Sequence, residues 1–244
     1  NSPASLQLVA GDVEALGMHR RLAVPLVMVA LIGVALTACS SAPGGGVPVG
    51  PTGRFTIVGR DIVDPAGNRF YPIGANVSVR QGPYENGYTF NWNGTATGHA
   101  ADAKAWGWNI VRANLICVPP PSPTVAQLNA GIDSFIDEYT AQGIVVMVDC
   151  HDVTGANLPA SSAKIQSLYP FWERLANKYK NNPYVWFNMF NEPQGGSSDG
   201  DVANWLTLQQ DALRRLRAIA PNNIFVADIP GYGTRLEAAY RLPY

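Results

Sequence analysis

The sequence predicts an α/β fold in which helices cover a parallel sheet, and three observations carry that expectation. Continuous apolar runs, such as Ile144 to Asp149 and Tyr184 to Phe190, alternate with longer amphipathic stretches. That is the pattern of strands buried on both faces. No Gly-rich phosphate loop follows any of the runs, which weakens a nucleotide-binding reading. One strand, Tyr184-Val185-Trp186-Phe187-Asn188-Met189-Phe190, ends abruptly in Asn191-Glu192-Pro193. In a parallel barrel, a carboxylate at the carboxyl end of a strand sits where chemistry is done, not where packing is. Alternation by itself leaves a closed barrel and an open doubly wound sheet both standing.

The elements follow in order. Met18-His19-Arg20-Arg21, the apolar run Leu22 to Ala35 and Leu36-Thr37-Ala38-Cys39 read as an export signal over residues 18–39, since the run is too short for a comfortable membrane span. Residues 1–17 precede Met18 and are expected to be upstream, non-native sequence. The Leu-Thr-Ala-Cys tetrad resembles a bacterial lipobox, which implies lipidation of Cys39 and a domain held outside the membrane by that anchor. An ordinary signal peptide with a coincidental Cys is the alternative. Residues 40–53 form a Ser/Gly/Pro-rich tether, and residues 54–244 form the domain.

That domain opens with a hairpin, Phe55 to Val58 and Asp61 to Val63, followed by a turn at Asp64-Pro65-Ala66-Gly67. Phe70 to Ala75 reads as the first parallel strand, and residues 81–98 as a loop rich in Gly, Asn and aromatics. A short helix, His99 to Trp106, ends at Gly107, and Asn109 to Val118 is the second strand. Thr124 to Gln142 is helical, with Ile132, Phe135, Ile136 and Tyr139 on one face and Gly143 closing it. Ile144 to Asp149 is the third strand, and Ser162 to Lys180 a single helix closed by Asn182-Pro183. After the fourth strand come an amphipathic helix, Val202 to Ala220, and a fifth strand, Ile224 to Ala227.

Composition bounds the function. The 244 residues are 47% hydrophobic and 14% charged, with net charge −1, which suits one domain with a large core and argues against disorder. Near-neutral charge gives no electrostatic case for nucleic acid, and a neutral glycan fits at least as well as an anion. Cys117 and Cys150 fall at the ends of neighbouring strands. In-plane neighbours on parallel strands rarely have suitable Cβ directions for a bridge, so two separately buried thiols are expected. Asp149 and Asp152 flank His151, but three histidines, one of them His19 in the signal, supply no ligand set. No metal and no cofactor are expected.

Three segments stand at or near strand ends. Trp106-Gly107-Trp108-Asn109-Ile110-Val111-Arg112, Val148-Asp149-Cys150-His151 and Asn191-Glu192-Pro193 occur in that order on successive strands. Each alone is weak, and three in order are much stronger. Together they resemble the Gly-x-Asn-x-Val-Arg, Asp-x-His and Asn-Glu-Pro segments of the cellulase family of glycoside hydrolases (family 5). The resemblance implies a (β/α)8 TIM barrel, of which about the first five β/α units are present. It implies hydrolysis of O-glycosidic bonds in a β-1,4-linked polysaccharide, of endoglucanase type and with retention. Cellulose-like β-glucan is the first substrate expected, and β-mannan and xyloglucan stay open. Glu192 would be the acid/base, and Asn191 would hydrogen-bond the sugar 2-hydroxyl. Arg112 would keep the nucleophilic carboxylate ionised, and His151 would bind sugar hydroxyls or orient that network. Trp92, in the aromatic loop Tyr84 to Trp92, and Tyr232 are the expected substrate-binding aromatics. The loop reads equally well as a packed cap.

The match departs from the family after the fifth strand. The family's nucleophile is a Glu on the seventh strand, and no nucleophile is found here. Glu237 is the sole glutamate after Glu192, in a Leu-Glu-Ala context unlike a nucleophile strand. The expectation is therefore an exported, lipid-anchored, monomeric glycanase fragment with impaired activity and two open sheet edges. A non-catalytic glycan-binding surface lipoprotein on a degenerate barrel is the alternative.

Overall fold

The computed structural model describes residues 52–78, 98–118 and 124–242, all within the unit Gly45–Tyr244. The expected signal segment, Cys39, nearly all of the tether and Trp92 lie outside the described residues. Two short strands, β1 (Thr56–Val58) and β2 (Asp61–Val63), pair antiparallel as a hairpin. The Asp64 carboxylate accepts the backbone N–H groups of Ala66 and Asn68 and so closes the turn beyond it. Five strands follow: β3 (Gly74–Ser78), β4 (Ile110–Leu115), β5 (Val145–Cys150), β6 (Val185–Asn188) and β7 (Phe225–Val226). They pair parallel in the order β3-β4-β5-β6-β7, each beside its predecessor in sequence. That order has no reversal, so the sheet has no topological switch point and is not doubly wound.

Helices fill every connection: α1 (His99–Ala105), α2 (Val125–Ala141), the short α3 (Ala163–Gln166) with α4 (Tyr169–Tyr179), and α5 (Asp199–Arg217). The Thr124 side chain and Gln127 form a reciprocal capping box on α2, and Ser198 with Asp201 repeats it on α5. Acidic Asp199 and Asp201 begin α5 and Arg214, Arg215 and Arg217 end it, which suits the helix dipole. The single helix expected over 162–180 is instead two. Pro170 occupies the first turn of α4, where its missing N–H is harmless. The first parallel strand starts later than expected, at Gly74. Upstream, the Ile73 N–H goes to the Asn109 side chain, while Phe70 packs on the hairpin.

Alternate residues of each strand face opposite ways. Val111, Ala113, Val146, Val148, Val185 and Phe187 pack with the helices in the main core. On the other face the character changes along the strands. Ile110, Val145 and Trp186 form an apolar floor with Phe55 of the hairpin, whose ring stands edge-on to Phe70, Tyr184 and Trp186. Towards the carboxyl ends the same face carries Asn114, Asp149 and Asn188, cross-strand neighbours in register. β3 and β7 are the edges of the described sheet. Beside β7 an apolar groove of about 890 Å³ runs past Trp205, Phe225, Val226 and Ile229.

The cysteines differ from expectation: Cys117 and Cys150 form a disulfide, with Cα atoms 5.6 Å apart. The register partner of Cys150 is Leu115, not Cys117. Cys117 lies two residues past the end of β4, where the chain has left the ladder, so the restriction on in-plane neighbours does not apply.

Candidate active site

The carboxyl ends of β4, β5, β6 and β7 converge on one guanidinium. Arg112, on β4, donates through Nε and one terminal nitrogen to Asn188 Oδ1 at 3.0 and 2.6 Å. The same nitrogen reaches Asn191 Oδ1 at 2.9 Å and Asp228 Oδ2 at 3.2 Å, and lies 3.2 Å from Asp149 Oδ1. Three strand spacings of about 4.8 Å each would separate β4 from β7 in a flat sheet. Arg and Asp side chains that stand up from a flat sheet would not meet across that distance, so their contact reflects a curled sheet, as a barrel arc must be.

Asp149 is fully buried, and burial pushes its carboxyl above the usual range. His151, 2.6 Å away through Nδ1, and the Arg112 guanidinium oppose that rise. Asp149 thereby ties the His151 ring to the Arg112 cluster, an orienting contact of the kind that fixes which ring nitrogen faces outward.

The segment after β6 is held tightly. Glu192 and Gln194 have left-handed backbones, φ 42° and 60°, a conformation that costs a non-glycine residue of order 1 kcal/mol. Four backbone bonds fix the turn. Asn191 N–H donates to Cys150 O (2.9 Å), Glu192 N–H to Asp228 Oδ2 (3.0 Å), Gly155 N–H to Glu192 O (2.9 Å) and Gln194 N–H to Ala156 O (3.2 Å). Asn191 accepts from Arg112 and donates to Thr154 Oγ1 at 2.9 Å. Glu192 itself is half-buried.

Tyr232 follows β7 in a Gly-Tyr-Gly turn, with all three residues at positive φ. Its ring is exposed, while its hydroxyl rests on two glycines. A Cβ at Gly155 or Gly195 would lie 2.5 or 2.7 Å from Tyr232 Oη. Close approach therefore requires glycine at both places.

Of the residues read from sequence, Arg112 meets Asn191 directly, and Glu192 joins them through its chain neighbour Asn191 and through Asp228, which accepts from both Arg112 and the Glu192 N–H. His151 joins through Asp149, and Tyr232 lies over the Gly155 loop that grips Glu192. Arg112 contacts Asn76, Asp149, Asp228, Asn188 and Asn191; no nucleophile glutamate touches it among the described residues. Asn188 and Asp228 were not anticipated as site residues. Asp228 carried a readable signal, since it stands just past the fifth apolar strand, where Glu192 stands past the fourth. Asn188 carried none, being one polar residue inside a buried strand. Cys117, Cys150 and Asp152 bring ligand-type atoms within 4.8 Å of one another. The sulfurs are bonded to each other, however, and Asp152 already accepts the Cys117 and Val118 N–H groups and pairs with Lys164.

Comparison with known proteins gives a consistent picture. Residues 64–243 match the model of the cellulase family, glycosyl hydrolase family 5. The chain is 26% identical over 216 residues to a mannan endo-1,4-beta-mannosidase of Cellvibrio japonicus, covering 86% of this chain and 43% of that protein. It is 25% identical over 150 residues to the cellulase CelDZ1 of a Thermoanaerobacterium species, covering 59% and 38%. The chain thus spans less than half the length of these curated relatives. Among solved structures it superposes on the cellulase Cel5C_n with a TM-score of 0.62 at 20% identity, over 82% of this chain and 61% of that one. At that identity the likeness is one of fold.

Proposed function

The chain belongs to the cellulase family, glycosyl hydrolase family 5, and on that premise we propose that it acts on the O-glycosidic bonds of a β-1,4-linked polysaccharide with Glu192 as acid/base. The observation that carries this is the placement of Asn191-Glu192 past the carboxyl end of β6, clamped in a left-handed turn and joined to Arg112 through Asn191. Glu192 gives a proton to the leaving oxygen and then takes one from water. Asn191 offers its remaining amide hydrogen to a sugar hydroxyl. Arg112 supplies positive charge at the strand ends, and His151, oriented by Asp149, presents its other nitrogen to the glycan. Tyr232 and Trp92 are the stacking surfaces. The named activities of the relatives, mannanase and cellulase, make β-mannan and β-glucan the substrates to compare, with retention at the anomeric carbon. Export by the segment around residues 18–39, lipidation at Cys39 and a monomeric state belong to the same proposal.

The proposed activity of this chain alone is low. Among the described residues, the carboxylates beside Arg112 are those of the aspartates Asp149 and Asp228, and Glu237 pairs with Arg235, so no glutamate stands beside Arg112 as the nucleophile. Chain scission of carboxymethyl-cellulose and β-mannan, followed by loss of viscosity with and without azide as an external nucleophile, tests the reading beside Glu192→Gln; viscosity is the readout because azide leaves a glycosyl azide and no new reducing end. Slow scission that azide raises and Glu192→Gln abolishes is the expected result. Scission that persists in Glu192→Gln, or none under any condition from folded protein, overturns it.

A further inference from the structure

We infer that Asp228 is the positioning residue for Glu192, its carboxylate fixing the peptide from which the Glu192 side chain projects. The catalytic consequence rests on the acid/base reading of Glu192; the contact itself does not.

Asp228 is held at both ends. Its main-chain carbonyl accepts the indole N–H of the buried Trp205, on α5, at 2.7 Å. Its carboxylate is fixed by three donors: Asn188 Nδ2 on one oxygen at 2.9 Å, and Arg112 and the Glu192 N–H on the other at 3.2 and 3.0 Å. A residue serving only as a counter-ion for Arg112 would not need the backbone N–H of Glu192. That N–H belongs to no helix or strand, and in its left-handed conformation it points to Asp228. On the other side of the same residue, Gly155 N–H holds the Glu192 carbonyl. The two bonds grip Glu192 from the β7 end and from the loop after β5, so its Cα cannot rotate towards a relaxed backbone without breaking both. A bond to an ionised acceptor is about twice as strong as a neutral one. Misplacing a catalytic group by about 1 Å costs around a hundredfold in rate, which is what this grip prevents.

The chain holds six glutamates, so [15N]glutamate labelling of the full chain gives a spectrum simple enough to read. The Glu192 signal is the one missing in Glu192→Gln. In the unaltered protein its amide should be shifted downfield and protected from exchange. Asp228→Asn keeps the shape but removes the charge and one acceptor oxygen. The Glu192 amide should then move upfield and exchange about tenfold faster, while signals from the other described glutamates stay in place. With hydrolysis measurable, kcat should fall about tenfold to a hundredfold with KM nearly unchanged. A merely structural role would instead lower the melting temperature and move the glutamate signals together. An unmoved Glu192 signal in folded Asp228→Asn overturns the inference. If the variant does not fold, the unaltered protein decides, because free exchange of its Glu192 amide overturns the inference equally. A chain without activity would fail the functional reading and leave the amide result to judge this one.

Discussion

Replacing Arg112 by Met removes the guanidinium while roughly keeping the length of the side chain, and the structure sets the size of the effect. Asp149, with no exposed side-chain surface, loses an ion pair at 3.2 Å. Buried Asn188 loses two donors from its Oδ1. Breaking a buried pair by removing one partner costs about 3–5 kcal/mol, and an unsatisfied buried acceptor about 1–3 kcal/mol. These losses overlap, and the Arg112 and Asp228 side chains are 18% and 22% exposed, so water can offset part of them. The expected loss is about 3 kcal/mol, or roughly 6–12 °C in melting temperature for a domain of this size. It should depend on pH. Burial already raises the Asp149 carboxyl, and Arg112 is one of the groups that restrain it; without Arg112 the folded value rises further. The folded state then holds a proton that the unfolded state, titrating near 4, has released. Stability therefore falls as pH rises from the unfolded value through the folded one. Thermal and urea unfolding at pH 7 and pH 5 should show a larger loss at pH 7. A loss under about 1 kcal/mol at pH 7, or one equal at both pH values, would refute the reasoning.

Two other outcomes are expected away from the catalytic cluster. Asn223 is buried, and its Nδ2 donates to the carbonyls of Tyr179, Asn182 and Val185, tying the chain entering β7 to that entering β6. Asn223→Ala should cost about 2–3 kcal/mol by urea unfolding with an unchanged m-value, and a neutral result would show that water replaces the amide. The Cys117–Cys150 bridge closes a separation of 33 residues, worth about 3–4 kcal/mol in the chain-entropy model. Reduction, or the double Ser variant, should lower the urea midpoint accordingly. Thiol titration of the unreduced, unfolded chain should find neither cysteine reactive, and two reactive thiols beyond Cys39 would contradict the pairing.

Local periodicity and turn chemistry were legible from the residues alone. The α2 face through Ile132, Phe135, Ile136 and Tyr139 is buried as its spacing demands, because a 3.6-residue repeat leaves a helix one apolar side. The turn at Asp64 was equally local. The split of the helix over 162–180 was less clear, since Pro170 is tolerated in a first turn as well as being a breaker. Position at a strand end singled out Glu192, whereas Arg112, His151 and Asn191 were named by the resemblance of their segments to the cellulase family.

Strand neighbours, by contrast, were not local information. Alternation of strands and helices is common to wound and barrel sheets, and the sequential order β3 to β7 emerged from pairing between segments tens of residues apart. The disulfide likewise depended on how the chain leaves β4 before Cys117, a bend that no spacing records. The central role of Asp228 needed the curl of the sheet, which carries the end of β7 to Arg112 and to the Glu192 N–H. Residue types and their spacing thus determined the elements and the chemistry available at their ends. Which of those ends meet was a matter of sheet curvature, because a contact across four strands is fixed by the sum of many small twists that no single segment contains.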